Sequence, residues 1–200
     1  MTKQLHLIYL PGIGDAPEGS YQAKAVRTWR WWGVDSEVYE LNWRDDINWA
    51  VKFQKLLERI DQLTKEGKSV ALVGISAGAS AAINAYAARS DSLVGIVCIA
   101  GKINRPETIG SRYRQNNPSF VTSAEAAPTA LARISAKDRK RILSRYAILD
   151  TVVARSDSHI PGAHNRVVPS IGHVITIATQ ISLGAPSFIR FLKRQSANIK

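Results

Sequence analysis

Short, almost uninterrupted apolar runs constrain this fold more than any other feature of the sequence. They cover 5–10, 34–41, 69–74, 93–99 and 147–154, with a weaker run at 166–168. Runs of Val, Ile and Leu without alternation are typical of strands that are covered on both faces. Helical patterns separate them, at 21–32, 47–65, 77–89, the end of 102–146, and 176–195. This alternation predicts an α/β fold: a doubly wound, mostly parallel sheet of about six strands with helices on both faces.

The length and composition predict a single domain over 1–200. The chain has 200 residues, of which 45% are hydrophobic, enough for one substantial core. Segment 102–146 has too few large apolar residues for a core of its own, so we interpret it as an excursion between strands. Cys98 is the only cysteine and lies in an apolar run, which favours a small core residue over a nucleophile.

The charge is strongly basic and unevenly distributed. Segment 102–146 holds ten Lys or Arg against three Asp or Glu, and so contributes +7 of the net +11. The sequence has no nucleic-acid-binding signature, so nucleic acid is an unexpected partner and a solvated basic surface is the simpler interpretation. Recruitment of an anionic partner stays open. No signal sequence and no apolar run of about 18 residues is visible, which predicts a cytoplasmic protein without a membrane span.

Ser76 stands between two glycines in Gly74-Ile75-Ser76-Ala77-Gly78, directly after a predicted strand and before a predicted helix. A sharp strand-to-helix turn brings the two backbones close together, and residues two positions either side of the serine must then be very small. Such a turn exposes the serine hydroxyl at the carboxyl edge of the sheet. A serine that only caps the helix is the alternative.

A carboxylate and a histidine follow the last two predicted strands, as Asp157 and His173. Because parallel strands end at one edge of the sheet, both side chains are expected beside Ser76. Asp150 is the competing acid, but the predicted strand 147–154 would hold it too far from the serine. His159 and His164 precede the final strand and are weaker candidates for a base.

Together these motifs resemble the α/β-hydrolase family, whose serine, acid and histidine occur in this chain order. The resemblance spans nearly the whole chain and implies Ser76 as nucleophile, Asp157 as acid and His173 as base. It also implies an oxyanion hole from the Ile13 and Ala77 amides, although Pro11-Gly12-Ile13 replaces the family's His-Gly-x. The two leading antiparallel strands of larger members are expected to be absent.

The resemblance implies a serine hydrolase that cleaves a small-molecule carboxylic ester or thioester through an acyl-enzyme, with no cofactor and no metal. A binding protein that keeps the fold without turnover is the alternative. A dinucleotide-binding motif is not expected, because Pro17 occupies the position of its third glycine. The spacings of the histidines do not match those of a metal site. Trp43 follows a predicted strand at the same edge, where it could line the substrate pocket.

Overall fold

Within residues 3–198, which the computed structural model describes, six parallel strands form a single sheet. The strands are β1 (Leu5–Leu10), β2 (Asp35–Val38), β3 (Ser69–Ile75), β4 (Leu93–Ile99), β5 (Ile142–Leu149) and β6 (His164–Ile171). Their spatial order is β2-β1-β3-β4-β5-β6, so the end of β3, where Ser76 follows, lies near the middle of the sheet. This confirms the predicted α/β class.

Helices cover both faces of the sheet. They are α1 (Tyr21–Thr28), α2 (Trp49–Lys65), α3 (Ala77–Ala88), α4 (Ser111–Asn116), α5 (Pro118–Arg133), α6 (Ala136–Arg139), α7 (Arg155–Ser158), α8 (His173–Ile181) and α9 (Ala185–Ala197). Short 3-10 helices cover Trp29–Trp32 and Pro106–Thr108. One core lies under α2, α3 and α5, and the other under α1, α8 and α9. In β3, Leu72 joins the first core and Val73 the second, which explains the continuous apolar run.

Strand β5 begins and ends five residues earlier than the sequence predicts, at Ile142–Leu149 instead of 147–154. Two buried polar residues, Ser144 and Arg145, interrupt its apolar pattern. The sequence therefore assigns the start of the strand to the end of a predicted helix. The Ser144 hydroxyl donates to the Ser158 carbonyl at 2.6 Å, and the Arg145 guanidinium donates to Gln180 at 2.9 Å. These hydrogen bonds offset the cost of burying polar groups in the strand.

The segment between β4 and β5 is a helical layer that packs on α3. Ser123 of α5 contacts Ser80 at 2.8 Å between hydroxyl oxygens, and the Asn84 amide donates to the Ser123 carbonyl at 2.9 Å. More than half of the ten basic side chains of 102–146 bond to protein groups: Lys102, Arg105, Arg114, Arg139, Arg141 and Arg145. Much of this charge therefore serves internal contacts, which differs from the predicted solvated surface.

The C-terminal helical pattern, predicted as one helix over 176–195, forms two helices bent by 61°. α8 ends at Ile181, and the Gly184 amide donates to the Thr179 carbonyl at 2.9 Å before α9 begins. In the described part of the chain, no single helix is long and apolar enough to cross a membrane. The bent pair α8 and α9 meets that test jointly, by length and composition only.

Candidate active site

Ser76 occupies a strained turn between β3 and α3. Its φ of 51° and ψ of −114° are uncommon for any residue with a Cβ. The surrounding backbone holds the turn in place, because the Ser76 amide donates to the Ile99 carbonyl and the Ser76 carbonyl accepts from Lys102, both at 3.0 Å. The turn projects the hydroxyl from the carboxyl edge of the sheet, as the sequence pattern predicts.

The two glycines around Ser76 are required by the close approach of backbone segments. A Cβ on Gly74 would lie 2.6 Å from the Gly78 carbonyl oxygen. A Cβ on Gly78 would lie 2.1 Å from the Leu10 carbonyl oxygen, at the end of β1. Neither distance is compatible with a real side chain, so Gly74 and Gly78 are steric requirements of this turn.

His173 is the first residue of α8, and one residue, Gly172, separates it from the end of β6. Gly172, with a φ of 92°, turns the chain there, and its amide donates to the Leu149 carbonyl at 2.8 Å. The His173 Nε2 atom lies 2.9 Å from Ser76 Oγ. The structure therefore brings together the predicted hydroxyl and imidazole, which are 97 residues apart in the sequence.

Asp150, and not Asp157, is the carboxylate in contact with His173. Asp150 directly follows β5, and its Oδ2 lies 2.7 Å from His173 Nδ1. Its Oδ1 accepts from the Val152 amide at 2.8 Å and the Val153 amide at 3.0 Å, and its side chain is only 2% exposed. The two backbone donors fix the orientation of the buried carboxylate toward His173.

The prediction that Asp157 meets the histidine is wrong. Asp157 lies in α7, where its two carboxylate oxygens pair with Lys102 Nζ and Arg105 Nε, each at 2.7 Å. Its carbonyl also accepts from the Ile103 amide at 3.1 Å. Asp157 thus ties α7 to the chain after β4. The error follows from the five-residue shift of β5, because the acid comes directly after the strand that the structure forms.

The two amides predicted for an oxyanion hole belong to segments that adjoin Ser76. A Cβ on Gly12 would lie 3.2 Å from Ser76 Cβ and 3.8 Å from Ser76 Oγ, so the loop that carries Ile13 runs against the serine. Ala77 is the first residue of α3, where backbone N–H groups point out of the helix. Within residues 3–198, neither the Ile13 nor the Ala77 amide donates to a protein acceptor.

Trp43 does not line a pocket, so that prediction is also wrong. Its side chain is fully buried, and its indole N–H donates to the Pro11 carbonyl at 3.2 Å. Its ring stacks on Trp49 with centroids 5.9 Å apart and meets Phe120 edge-on. Trp43 supports the loop that carries Ile13 from beneath, a role that only the packing reveals.

The remaining candidate nucleophile and bases lie elsewhere. His159 Nδ1 pairs with the Tyr146 hydroxyl at 3.2 Å, and the His164 ring packs on Phe191. Cys98 is fully buried, which raises the pKa of its thiol to about 12 and leaves it unreactive. Among the described residues, no group of three or more His, Cys, Asp or Glu side chains could hold a metal ion.

An apolar rim borders the acid and histidine side of the site. It consists of exposed large side chains that flank Asp150 and His173 in the sequence: Leu149, Val152, Ile171, Val174 and Ile175. Leu149 and Ile171 of this rim are paired neighbours at the ends of β5 and β6. Exposed apolar side chains beside a functional site are typical of a site that binds apolar groups.

No protein-family model and no curated protein matches this chain, but solved structures do. Est1E from Butyrivibrio proteoclasticus superposes with a TM-score of 0.72 at 14% identity, over 98% of this chain and 90% of its own. The structure reported for the metagenome-derived lipolytic enzymes LipS and LipT gives 0.71 at 12% identity, over 97% and 95%. MGS-MChE2, an alpha/beta hydrolase from the metagenome of lagoon sediments at Mar Chica, Morocco, gives 0.60 at 16% identity, over 96% and 90%.

Proposed function

We propose that this chain, which has the α/β-hydrolase fold, is a serine hydrolase that cleaves a carboxylic ester or thioester. Ser76 is the nucleophile, His173 the base and Asp150 the acid, in place of Asp157. The observation that carries the proposal is the unbroken pair of contacts: 2.9 Å from Ser76 Oγ to His173 Nε2, and 2.7 Å from His173 Nδ1 to Asp150. Nucleophile, base and orienting acid are within hydrogen-bond reach.

The reaction proceeds in two proton-balanced halves. His173 Nε2 takes the Ser76 proton as Oγ attacks the carbonyl carbon, and the imidazolium then returns that proton to the departing alcohol or thiol. The acyl group remains on Ser76 Oγ as an ester. Water, deprotonated by the same nitrogen, attacks this acyl-enzyme. The imidazolium then returns the proton to Ser76 Oγ as the C–O bond breaks, which releases the acid and the free serine. These steps use only side chains of this chain and water.

Asp150 has a positioning and electrostatic role in this reaction. Its contact with Nδ1 selects the tautomer that carries the hydrogen on Nδ1, which leaves the Nε2 lone pair free for the serine proton. The carboxylate also stabilises the imidazolium that forms in each half-reaction. The Val152 and Val153 amides keep Asp150 in this orientation.

The Ile13 and Ala77 amides serve as the oxyanion hole. Both lack a protein acceptor in the described part of the chain and lie against the serine turn, so they can receive the negative charge that develops on the carbonyl oxygen. The N-terminus of α3 adds favourable dipole potential at the same place. Removal of one such donor typically costs about 2.7–4 kcal/mol of transition-state stabilisation.

The substrate class follows from the rim and from the structural relatives. The apolar side chains around Asp150 and His173 favour an ester with an apolar acyl or alcohol group. Lipolytic enzymes are among the similar structures, and Est1E has been solved with ferulic acid bound. The 2.9 Å contact between Ser76 and His173 favours turnover over the alternative, a binding protein that only keeps the fold.

A fluorophosphonate probe and a graded panel of nitrophenyl esters test the proposal. We expect the wild type to be labelled and to hydrolyse the esters, and Ser76→Ala to lose both properties. Ser156→Ala is the matched control, because Ser156 is exposed on the nearby α7 and its removal should change neither result. Labelling that persists in Ser76→Ala would place the nucleophile elsewhere, and a wild type inert to probe and esters would favour the binding protein.

A further inference from the structure

Two carboxyl groups meet behind the loop that carries the Ile13 amide. Asp15, two residues further along, lies within hydrogen-bond reach of Glu40, which follows β2. The Asp15 amide donates to the Gly12 carbonyl at 3.0 Å and closes the turn of the loop. The Ala16 amide donates to both Glu40 oxygens, at 3.0 and 3.2 Å. The two carboxyl groups therefore lie at the point where hydrogen bonds connect this loop to the segment after β2.

Within residues 3–198, the two cations that act on Asp15, Lys52 and Arg44, form no ion pair with either carboxyl group. Lys52 reaches the region from α2, but its three ammonium donors are engaged by the Leu41 carbonyl at 2.7 Å, the Asn42 carbonyl, and Asp45 at 2.6 Å. Arg44 is exposed and acts through solvent. The phenol of Tyr9 is held neutral, because burial and then the Glu40 charge raise its pKa.

The wider surroundings of the pair offer little more positive charge. The groove beyond Ala16, which Glu40 also lines, has Glu18 and Glu37 on its walls; Arg27 is the one cationic lining residue, and Arg59 is paired with Glu37 at 2.6 Å. Arg27 is paired with Glu18 at 3.8 Å. The balance of charge around Asp15 and Glu40 therefore favours one negative charge over two.

One oxygen of Asp15 is poorly placed to carry a negative charge. Its Oδ1 atom is buried and has no hydrogen-bond partner within residues 3–198, which would be costly for an ionised oxygen and is much less so for a protonated carboxyl group. Burial raises the pKa of Asp15 above its usual value, although the contact with Glu40, the Asn42 amide and the charges of Lys52 and Arg44 partly offset this rise. Burial also raises the pKa of Glu40, where the Ala16 amide lowers it and the Asp15 charge raises it further. Two carboxyl groups within hydrogen-bond reach favour a state that holds one proton between them.

We propose that Asp15 and Glu40 share one proton and are positioning residues that hold the Ile13 amide against Ser76. The inference rests on the oxyanion role proposed above for Ile13. Loss of the shared proton would place two like charges in contact and push Asp15 away from Glu40. Because Gly12 has so little room beside Ser76, such a displacement would move the Ile13 amide relative to the serine hydroxyl.

The sign of the pH dependence follows from the raised pKa values. The pair contributes stability in full below the ordinary pKa values of 3.8 and 4.5, and this contribution is lost as the pH rises through the folded-state values. A salt-bridged carboxylate has the opposite dependence. Both the stability of the loop and the oxyanion hole should therefore weaken on the alkaline side.

Asp15→Asn is the informative variant. The asparagine amide keeps a donor for Glu40 without a titratable proton, and asparagine tolerates the φ of 51° at this position. Between about pH 5 and about pH 9, we expect kcat of the wild type to decline roughly tenfold on the alkaline side, with KM little changed. Asp15→Asn should lack this decline. Asp15→Ala, which removes the hydrogen bond altogether, should lower kcat at every pH.

Asp46→Asn is the matched control, because Asp46 is exposed in the same region and its replacement removes the same charge. The control should keep the alkaline decline of the wild type. An alkaline decline that persists unchanged in Asp15→Asn, or that disappears equally in Asp46→Asn, would overturn the shared proton.

Thermal unfolding separates this inference from the proposed function. In a Ser76→Ala background, Tm is measured against pH with and without Asp15→Asn. We expect the curve with native Asp15 to fall faster as the pH rises. Diverging curves in a protein whose Ser76 form has no esterase activity would support the shared proton and refute the hydrolase. Parallel curves in an active enzyme would refute the shared proton and leave the hydrolase standing.

Discussion

Asp150→Asn and Asp157→Asn should have opposite effects on catalysis and stability. Asparagine at 150 keeps the Oδ1 acceptor for the Val152 and Val153 amides, so the fold loses little, about 1 kcal/mol or less. Its amide would donate to His173 Nδ1 and thereby select the tautomer that carries its hydrogen on Nε2. That nitrogen could no longer take the serine proton. We therefore expect kcat to fall about 10⁴-fold, as in other triads with this change.

Asp157→Asn should instead lower the stability of the fold and leave kcat unchanged. Lys102 is buried, with 8% of its side chain exposed, and would lose its carboxylate partner, whereas the half-exposed Arg105 can turn to water. Breaking a buried pair costs about 3–5 kcal/mol, and Lys102 keeps its contact with Thr108, so the lower end applies. About 3 kcal/mol in a chain of this size lowers Tm by roughly 6–12 °C.

The assay combines active-site titration with thermal unfolding. Titration with a fluorophosphonate counts functional sites in each variant, so that kcat for a nitrophenyl ester is expressed per folded enzyme. Tm is followed by circular dichroism at the same pH. If Asp157→Asn lost about 10³-fold or more in kcat with an unchanged Tm, and Asp150→Asn kept its activity, the assignment of the acid from the structure would be refuted.

Two further predictions concern the turn and an ion pair. Gly78→Ala should lower the free energy of unfolding by about 3 kcal/mol or more, because its Cβ would collide with the Leu10 carbonyl. Gly14→Ala, with open space around its Cβ, should be neutral in the same denaturant titration. Burial opposes ionisation of Glu37, but hydrogen bonds from Arg59 help to lower its pKa to about 2. The stability it contributes above the ordinary value of 4.5 should disappear as the pH falls toward 2, and Glu37→Gln should flatten that part of the Tm curve.

Local sequence was sufficient for the serine turn. Gly74 and Gly78 flank Ser76 between an apolar strand and an alanine-rich helix. This pattern predicts a turn in which backbone atoms come too close for a side chain at either glycine. The structure has this turn where the pattern predicts it, with a strained φ at the serine and no room for a Cβ at either glycine. The apolar runs likewise predicted the parallel sheet, because strands covered on both faces need no polar positions.

The acid could not be chosen in the same way. Asp150 and Asp157 are seven residues apart, and the choice between them depended on where β5 ends. The polar Ser144 and Arg145 interrupt the apolar pattern by which β5 could be recognised in the sequence. They are tolerated in the strand because they hydrogen-bond to α7 and to the region of α8 and α9, which the sequence does not show.

The sequence by itself determined the sheet, the serine turn and the order of hydroxyl and imidazole, since each depends on periodicity or on backbone sterics within a few residues. Only the tertiary structure decided that Asp150 faces His173, that Trp43 lies beneath the loop, and that Asp15 meets Glu40. These contacts join residues distant along the chain, and their energies come from burial and hydrogen bonding, which exist only once the elements have packed.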